Sequence, residues 1–196
     1  MNHMYEHVGR WMRRYRISMT FKDLRLIVRH TRMIRIPKNT IIMPQGKMVT
    51  QLYFVNNGMV RLLRQFRDSD TTIDFIPEYE FASTVIYIRN EQLSPCALET
   101  LTDVDALYWE KEEVLYLLEN ISCGTKIEQA MLDRLLNWGQ DREIDIITLT
   151  PEERYVKLLR ENPAVVSMIP LKYIASYLGI HQDSLSRIRN KVARKS

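Results

Sequence analysis

The side chains best placed to do chemistry lie near the C-terminal end, in Ile169-Pro170-Leu171-Lys172-Tyr173-Ile174-Ala175-Ser176-Tyr177-Leu178-Gly179-Ile180-His181-Gln182-Asp183-Ser184-Leu185-Ser186-Arg187-Ile188-Arg189. Opposite Leu185 and Ile188, an expected helix displays Gln182, Asp183, Ser186, Arg187 and Arg189, with Ser184 and Lys191 beside them. These groups suit the reading of base edges and the gripping of phosphates. Arg pairs in bidentate fashion with guanine, Gln does so with adenine, and Lys and Arg neutralise phosphates with an affinity that falls as salt rises. Lys191, Arg194 and Lys195 continue the basic character to the end of the chain.

To present those groups the segment must be two packed helices. Ile174 and Leu178 share one face of the first, Ala175 is small where the helices approach, and Gly179 supplies the turn. Leu185 and Ile188 are the apolar face of the second, so the segment reads as a helix-turn-helix. The bland alternative is a helical hairpin with a solvated polar face. A DNA reader of this kind needs two copies about 34 Å apart, which makes a dimer seam part of the function.

Other chemistry lacks its residues. Cys96 and Cys123 are too few for a disulfide framework, a four-thiolate zinc site or an all-cysteine iron–sulfur cluster, and they have no CxxC spacing. Reduced thiols are expected, with a redox pair as the minor reading. The histidines, at 3, 7, 30 and 181, all fall outside the expected strands, which argues against a metalloenzyme built on a β-roll. His3, His7, His30 and Cys96 are the residues that could ligate haem, although surface or core roles are their ordinary reading. No Ser, His or Cys constellation marks an enzyme.

The elements behind the C-terminal segment follow from pattern. Phe21, Leu24, Ile27 and Val28 recur at helical spacing after a Thr20 cap. Eight short runs then read as strands: Arg35–Pro37, Thr40–Pro44, Leu52–Val55, Met59–Leu63, Thr72–Ile76, Ser83–Ile88, Ala97–Leu101 and Val104–Trp109. Asn56-Asn57-Gly58 has the composition of a hairpin turn, and Arg67-Asp68-Ser69-Asp70 reads as the next turn. Such spacing implies a sandwich or jelly roll.

From Glu110 the period becomes helical. Val114, Leu115, Leu117 and Leu118 mark one helix, and Ile127, Met131, Leu132, Leu135 and Trp138 open a longer one expected over 125–147. Its apolar stripe, which includes Trp138 and Ile144, is longer than docking on a sandwich requires, so it suits a dimer seam, with core packing within one subunit as the bland alternative. Thr150-Pro151-Glu152-Glu153 is a strong helix start, and Asn162-Pro163 stops that helix.

Composition agrees with a folded chain: 45% hydrophobic and 27% charged residues over 196 positions, with only 6 Gly and 7 Pro. No apolar run approaches a membrane span and no signal-peptide core is present, so a cytoplasmic, non-membrane protein is expected. Charge is divided. Residues 1–35 carry 9 basic and 2 acidic groups, residues 36–180 carry 14 and 21, and residues 181–196 carry 5 and 1. Both basic ends can meet nucleic acid, and charge alone suits an anionic membrane surface equally well. Arg10, Arg13, Arg14 and Arg16, with Trp11, Met12 and Tyr15, could touch DNA, RNA polymerase or acids of the roll, or simply form a solvated face.

The order of β-roll, long helix and helix-turn-helix resembles the Crp/Fnr transcription regulators across almost the whole chain, and Arg154 to Arg189 resembles their Bacteroidota branch. Gln45-Gly46 and Leu52-Tyr53-Phe54-Val55-Asn56-Asn57-Gly58-Met59-Val60-Arg61 resemble the family signature for the early strands. The resemblance implies an α+β fold with a jelly-roll domain like those that bind cyclic nucleotides (1–109), connecting and dimerisation helices (110–148) and a winged helix-turn-helix domain (149–196). It implies a bacterial homodimer on a palindromic operator. Many relatives have Arg, Glu and Arg where this chain has Gln182, Asp183 and Arg187. Only Arg187 matches, and Gln182 should shift preference toward adenine.

The family's cyclic-nucleotide cassette places Gly-Glu and, ten residues on, Arg followed by Ser or Thr and Ala. Aligned on Phe81 and Thr102, the matching positions are Ser83-Thr84 and Ser94-Pro95-Cys96. A cyclic phosphate would lack its charge partner, so no cAMP response is expected and no cofactor is identified. Arg89 is the one nearby Arg that could reach inward. Ser83, Thr84, Ser94 and Cys96 remain the candidate effector pocket, unless Phe81 and Tyr87 fill it. A sensor or scaffold acting through protein partners, without DNA binding, is the alternative function.

Overall fold

Two amphipathic helices open the chain, α1 (His3–Arg14) and α2 (Phe21–His30), in a computed structural model that describes residues 3–67, 69–83 and 85–194. Trp11 and Met12, both 2% exposed, bury the inner face of α1. The Thr20 hydroxyl accepts the Asp23 N–H at 3.1 Å, and the Asp23 carboxylate accepts the Thr20 N–H at 2.9 Å, so two end donors of α2 are satisfied reciprocally. Asp23 also accepts the Ser122 N–H at 2.8 Å and its hydroxyl at 2.6 Å. One buried carboxylate thus fastens the start of α2 to a turn about a hundred residues on.

The roll follows: β1 (Arg32–Ile36), β2 (Ile41–Met43), β3 (Gln51–Asn57), β4 (Val60–Phe66), β5 (Ser69–Ile76), β6 (Phe81–Ala82), a short helix α3 (Val85–Arg89), β7 (Ala97–Thr100) and β8 (Val104–Glu110). The strands form two antiparallel sheets, ordered β1-β8-β3-β6 and β2-β7-β4-β5. Phe54, Val55, Val60, Leu98 and Leu107 fill the space between them at 0–1% exposure.

Two sequence expectations are corrected here. Asn56-Asn57-Gly58 does not close a hairpin: β3 and β4 lie in different sheets, and the turn carries the chain from one to the other. Gly58 is needed because its φ is 99° and a Cβ there would lie 2.4 Å from the Asp103 carbonyl oxygen. The β-branched run Ser83–Ile88 is not a strand. β6 ends at Ala82, Ser83 has a φ of 104°, and the backbone turns into α3. Thr84 and Asp68 lie outside the described residues. The expected turn after β4 does occur, with Arg67 at a φ of 54° and Phe66 paired opposite Ser69.

Six helices complete the described chain: α4 (Lys111–Asn120), α5 (Gly124–Thr148), α6 (Pro151–Glu161), α7 (Pro163–Met168), α8 (Leu171–Leu178) and α9 (Gln182–Ala193). α4 and α5 approach so closely at Gly124 that a Cβ would meet the Leu118 carbonyl oxygen at 1.9 Å. Thr150 and Glu153 form the reciprocal cap read from the sequence. No strand follows Glu110 among the described residues, so the wing expected of the C-terminal unit is not seen in them. No described helix is long and apolar enough to cross a membrane.

α5 has two working faces. Trp138 sits about 200° around the helix from Leu136; it faces the roll together with Arg134, which forms an ion pair with Glu80 at 3.0 Å. Leu136 and Ile147 point away, 63% and 76% exposed. Trp138 therefore packs within the subunit on the roll side, the bland alternative for the stripe, and not in an outward seam.

Candidate nucleic-acid interface and ligand cavity

Gly179 makes the turn between α8 and α9. At a φ of 68° it ends α8, its N–H bonding the Ser176 carbonyl at 3.1 Å while the Ile180 N–H bonds that of Ala175 at 3.0 Å. This is the paired-bond helix ending that glycine favours. Leu185, fully buried, then packs with Ile174, Ala175 and Leu178, with Ile188 and Val192 partly covered beside it. Anchoring that face turns the other outward: Gln182, Asp183, Ser184, Ser186, Arg187 and Lys191 are exposed and Arg189 is half-buried. All seven candidate residues thus occupy one helix. Lys191 is held by Glu152 at 2.5 Å. Arg194 is exposed, and Lys195 lies outside the described residues.

The first of these helices, α8, is docked on the roll. The Thr72 N–H of β5 donates to the Ser176 hydroxyl at 2.9 Å, and the Phe75 and Tyr177 rings lie 5.2 Å apart. Tyr173 covers the Arg61 guanidinium at 4.0 Å. Arg61, 2% exposed, donates to Glu99 at 2.5 Å and to Asp70 at 2.7 Å, so its buried charge is compensated. At the other end of α8, Arg142 donates to the Tyr177 carbonyl at 2.7 Å and Arg154 to that of Leu178 at 3.1 Å. Cations at these unsatisfied carbonyls suit the negative end of a helix. Sequence pattern did not reveal this contact, since aromatic and Ser residues on α8 read equally well as solvent-facing.

Inside the roll a cavity of about 240 Å3 lies between the sheets and α5. Ser83, Ser94 and Cys96, three of the four expected pocket residues, line it together with Phe81, Tyr87, Asp74, Arg134 and Trp138. Phe81 and Tyr87 therefore narrow the space without filling it. The Ser94 hydroxyl donates to the Cys96 carbonyl at 2.6 Å. Arg89 does not reach inward; it pairs with Glu128 at 2.6 and 2.9 Å. Burial pushes the Cys96 thiol up, so it is a poor thiolate. Of the histidines suggested as haem ligands, His7 stacks on Tyr79 and His30 lies against Tyr116, and neither lines the cavity.

Asp74, Arg134 and Trp138 were missed at the level of sequence. The Trp138 indole lies close enough to the Asp74 carboxylate to favour its charged form. Burial raises the Asp74 carboxyl to about 6, although Arg134, the Phe75 N–H, Arg142 and Trp138 all oppose the rise. The one available signal was an acid in the otherwise apolar run Ile73-Asp74-Phe75-Ile76.

The N-terminal basic cluster is partly engaged by the roll, since Arg14 pairs with Glu80 at 2.9 Å and Glu80 also holds Arg134.

Residues 33–120 match the family described as the cyclic nucleotide-binding domain. No curated protein matches the chain. Among solved structures, FixK2 from Bradyrhizobium japonicum is 16% identical, with a TM-score of 0.75 over 84% of this chain and 85% of its own. A protein from Eubacterium rectale described as a transcriptional regulator of the Crp/Fnr family is 15% identical, with a TM-score of 0.72 over 90% and 85%. The c-di-GMP-responsive global regulator CLP of Xanthomonas campestris is 16% identical, with a TM-score of 0.69 over 90% and 93%. At such identities the likeness is one of fold.

Proposed function

We propose, from a chain that carries a cyclic nucleotide-binding domain at residues 33–120 and has the fold of the Crp/Fnr regulators, that it is a transcription regulator binding DNA through α9. The observation that carries this reading is the exposed row on α9. Leu185 is fully buried, while Gln182, Asp183, Ser186 and Arg187 face solvent on a helix whose partner ends at Gly179. Arg187 and Gln182 read base edges in the major groove. Ser184, Ser186, Arg189 and Lys191 hold phosphates and set the register. Lys191 takes part once a phosphate displaces Glu152.

The protein acts as a homodimer on a palindromic operator. Support comes from the outward face of α5, where Leu136, Ile144 and Ile147 are 63%, 56% and 76% exposed on a helix of 25 residues. Apolar groups repeating along one side of a long helix suit pairing with a second copy. Residues 1–109 then form the sensor, 110–148 the connection and seam, and 149–196 the DNA-binding unit.

The effector enters the roll cavity and is not cAMP. Arg134 is the one arginine among the described lining residues, and it is ion-paired with Glu80, while Asp74 would repel a cyclic phosphate. Binding to DNA of random sequence and to selected sites, compared as salt is raised, tests the regulator reading. A regulator retains a sequence-dependent excess at physiological salt. Equal loss on both DNAs would favour a scaffold acting through protein partners.

A further inference from the structure

We propose that the roll cavity is a receptor for a small organic cation, an amine on an aromatic or branched apolar body, with Asp74 as its counter-charge. The inference rests on reading this cavity as the effector site and adds the chemistry that the site selects.

Among the described lining residues, Asp74 and Arg134 carry the formal charges, and their situations differ. Arg134 already has its carboxylate, Glu80 at 3.0 Å, and Glu80 is in turn paired with Arg14 at 2.9 Å. Asp74 has no ion pair among the described residues. Its carboxylate accepts the Phe75 N–H at 2.9 Å and has the Trp138 indole beside it, both of them neutral. A half-buried carboxylate on which Arg134 and Arg142 act only from beyond ion-pair distance is the more costly arrangement, and an ammonium brought by a ligand would complete it. Burial raises the Asp74 carboxyl against the opposing pull of Arg134 and Arg142.

The walls suit the rest of such a molecule. Phe81, Tyr87 and Trp138 offer aromatic faces, which attract a cation as well as an apolar body. Met43, Leu62, Ile73, Ile76, Leu98 and Leu135 supply aliphatic surface. The Ser94 hydroxyl is committed to Cys96, leaving little to satisfy the several polar groups of a nucleotide. At about 30 Å3 per water, 240 Å3 is about eight waters' worth, the scale of an arylalkylamine.

Occupation would be felt on α8. Asp74 lies on β5 between Thr72 and Phe75, which hold Ser176 and Tyr177. Its indole partner Trp138 lies one turn from Arg142, which holds the Tyr177 carbonyl. A ligand that takes the carboxylate from Trp138 therefore acts on both attachments of α8.

Calorimetric titration of the full chain with phenethylamine and tryptamine tests this, beside 3-phenylpropionate, indole-3-propionate and cAMP. The amines should bind at millimolar or lower concentration and the acids and cAMP should not. Asp74→Asn should weaken amine binding by about tenfold or more. The wild-type series stands even if that variant folds poorly, and Trp138→Phe, which keeps an aromatic wall, should still bind amines. Equal binding of acids and amines, binding of cAMP alone, no amine binding, or unchanged amine binding in a folded Asp74→Asn would each overturn the proposal. DNA binding is measured separately on the same protein. Its absence alongside amine binding would overturn the regulator reading and leave the receptor chemistry in place.

Discussion

The Thr72 N–H in β5 donates to the Ser176 hydroxyl in α8 at 2.9 Å, a bond that joins the roll to the helices carrying the candidate DNA-reading face. A strand donor left without its acceptor costs about 1 kcal/mol or more. Ser176→Ala is therefore expected to loosen α8 on the roll without melting either unit. Hydrogen exchange should show faster exchange at Thr72 and through α8, with β3 and β8 unchanged. Unaltered protection at Thr72 would mean that the bond does not hold the docking.

Glu152 and Lys191 make a surface ion pair at 2.5 Å, worth less than about 1 kcal/mol to stability. Its interest lies in DNA binding. Glu152→Gln frees Lys191 in the unbound protein, so affinity should rise, whereas Lys191→Ala should make the slope of log K against log salt shallower by about one unit per protomer. Fluorescence anisotropy across a salt series reads the slope. An unchanged slope would remove Lys191 from the phosphate contacts.

Asp23 and Asp74 are expected to respond to pH in opposite senses. Burial alone would raise Asp23, but its bonds to Ser122 and Thr20 outweigh burial and hold the carboxyl well below the usual range. Its stabilisation is complete above the unfolded value of about 3.9 and is lost as pH falls below it. Asp23→Asn should lower the melting temperature at neutral pH, with the gap closing in acid. Asp74, faced by Arg134, Arg142 and Trp138, is raised to about 6, so its contribution is complete below about 3.9 and is lost as pH rises through about 6. Asp74→Asn should melt a few degrees higher at pH 7 and equally at pH 4. A variant less stable than the parent at pH 7 would show that the Arg134 and Arg142 charges outweigh burial.

Leu136 and Ile147 are exposed on one copy, so replacing both by Glu should leave the monomer folded. The dimer should be lost in light scattering, and operator affinity should fall with it. A variant that remains dimeric would place the seam elsewhere.

Local signals carried well from sequence to structure where they depend on neighbours in the chain. The long helix expected at 125–147 is found at Gly124–Thr148, the Thr150 cap forms as read, and Gly179 ends α8. The misreadings share a cause, which is that partners distant in sequence decided the outcome. Asn56-Asn57-Gly58 has hairpin composition, yet pairing of β3 with β8 and of β4 with β7 sends the two runs to different sheets. Ser83–Ile88 has strand composition, yet the chain leaves β3 after two pairs and closes over the cavity as α3. Trp138 fits an apolar stripe equally well on either face, and its place beside Asp74, 64 residues earlier, is a tertiary fact. The pocket residues Ser83, Ser94 and Cys96 were legible through family resemblance, whereas Asp74 was not, because those positions say nothing of charge on β5.

The most direct test of DNA reading by α9 is selection of binding sites from genomic DNA at near-physiological salt, run with the parent protein and with Arg187→Ala. The parent should enrich a two-fold symmetric motif. The variant, equally stable because Arg187 is exposed, should bind that motif about 1–3 kcal/mol more weakly and relax its preference at one base pair in each half-site. An enriched motif of the same sequence and strength from both proteins would contradict the account.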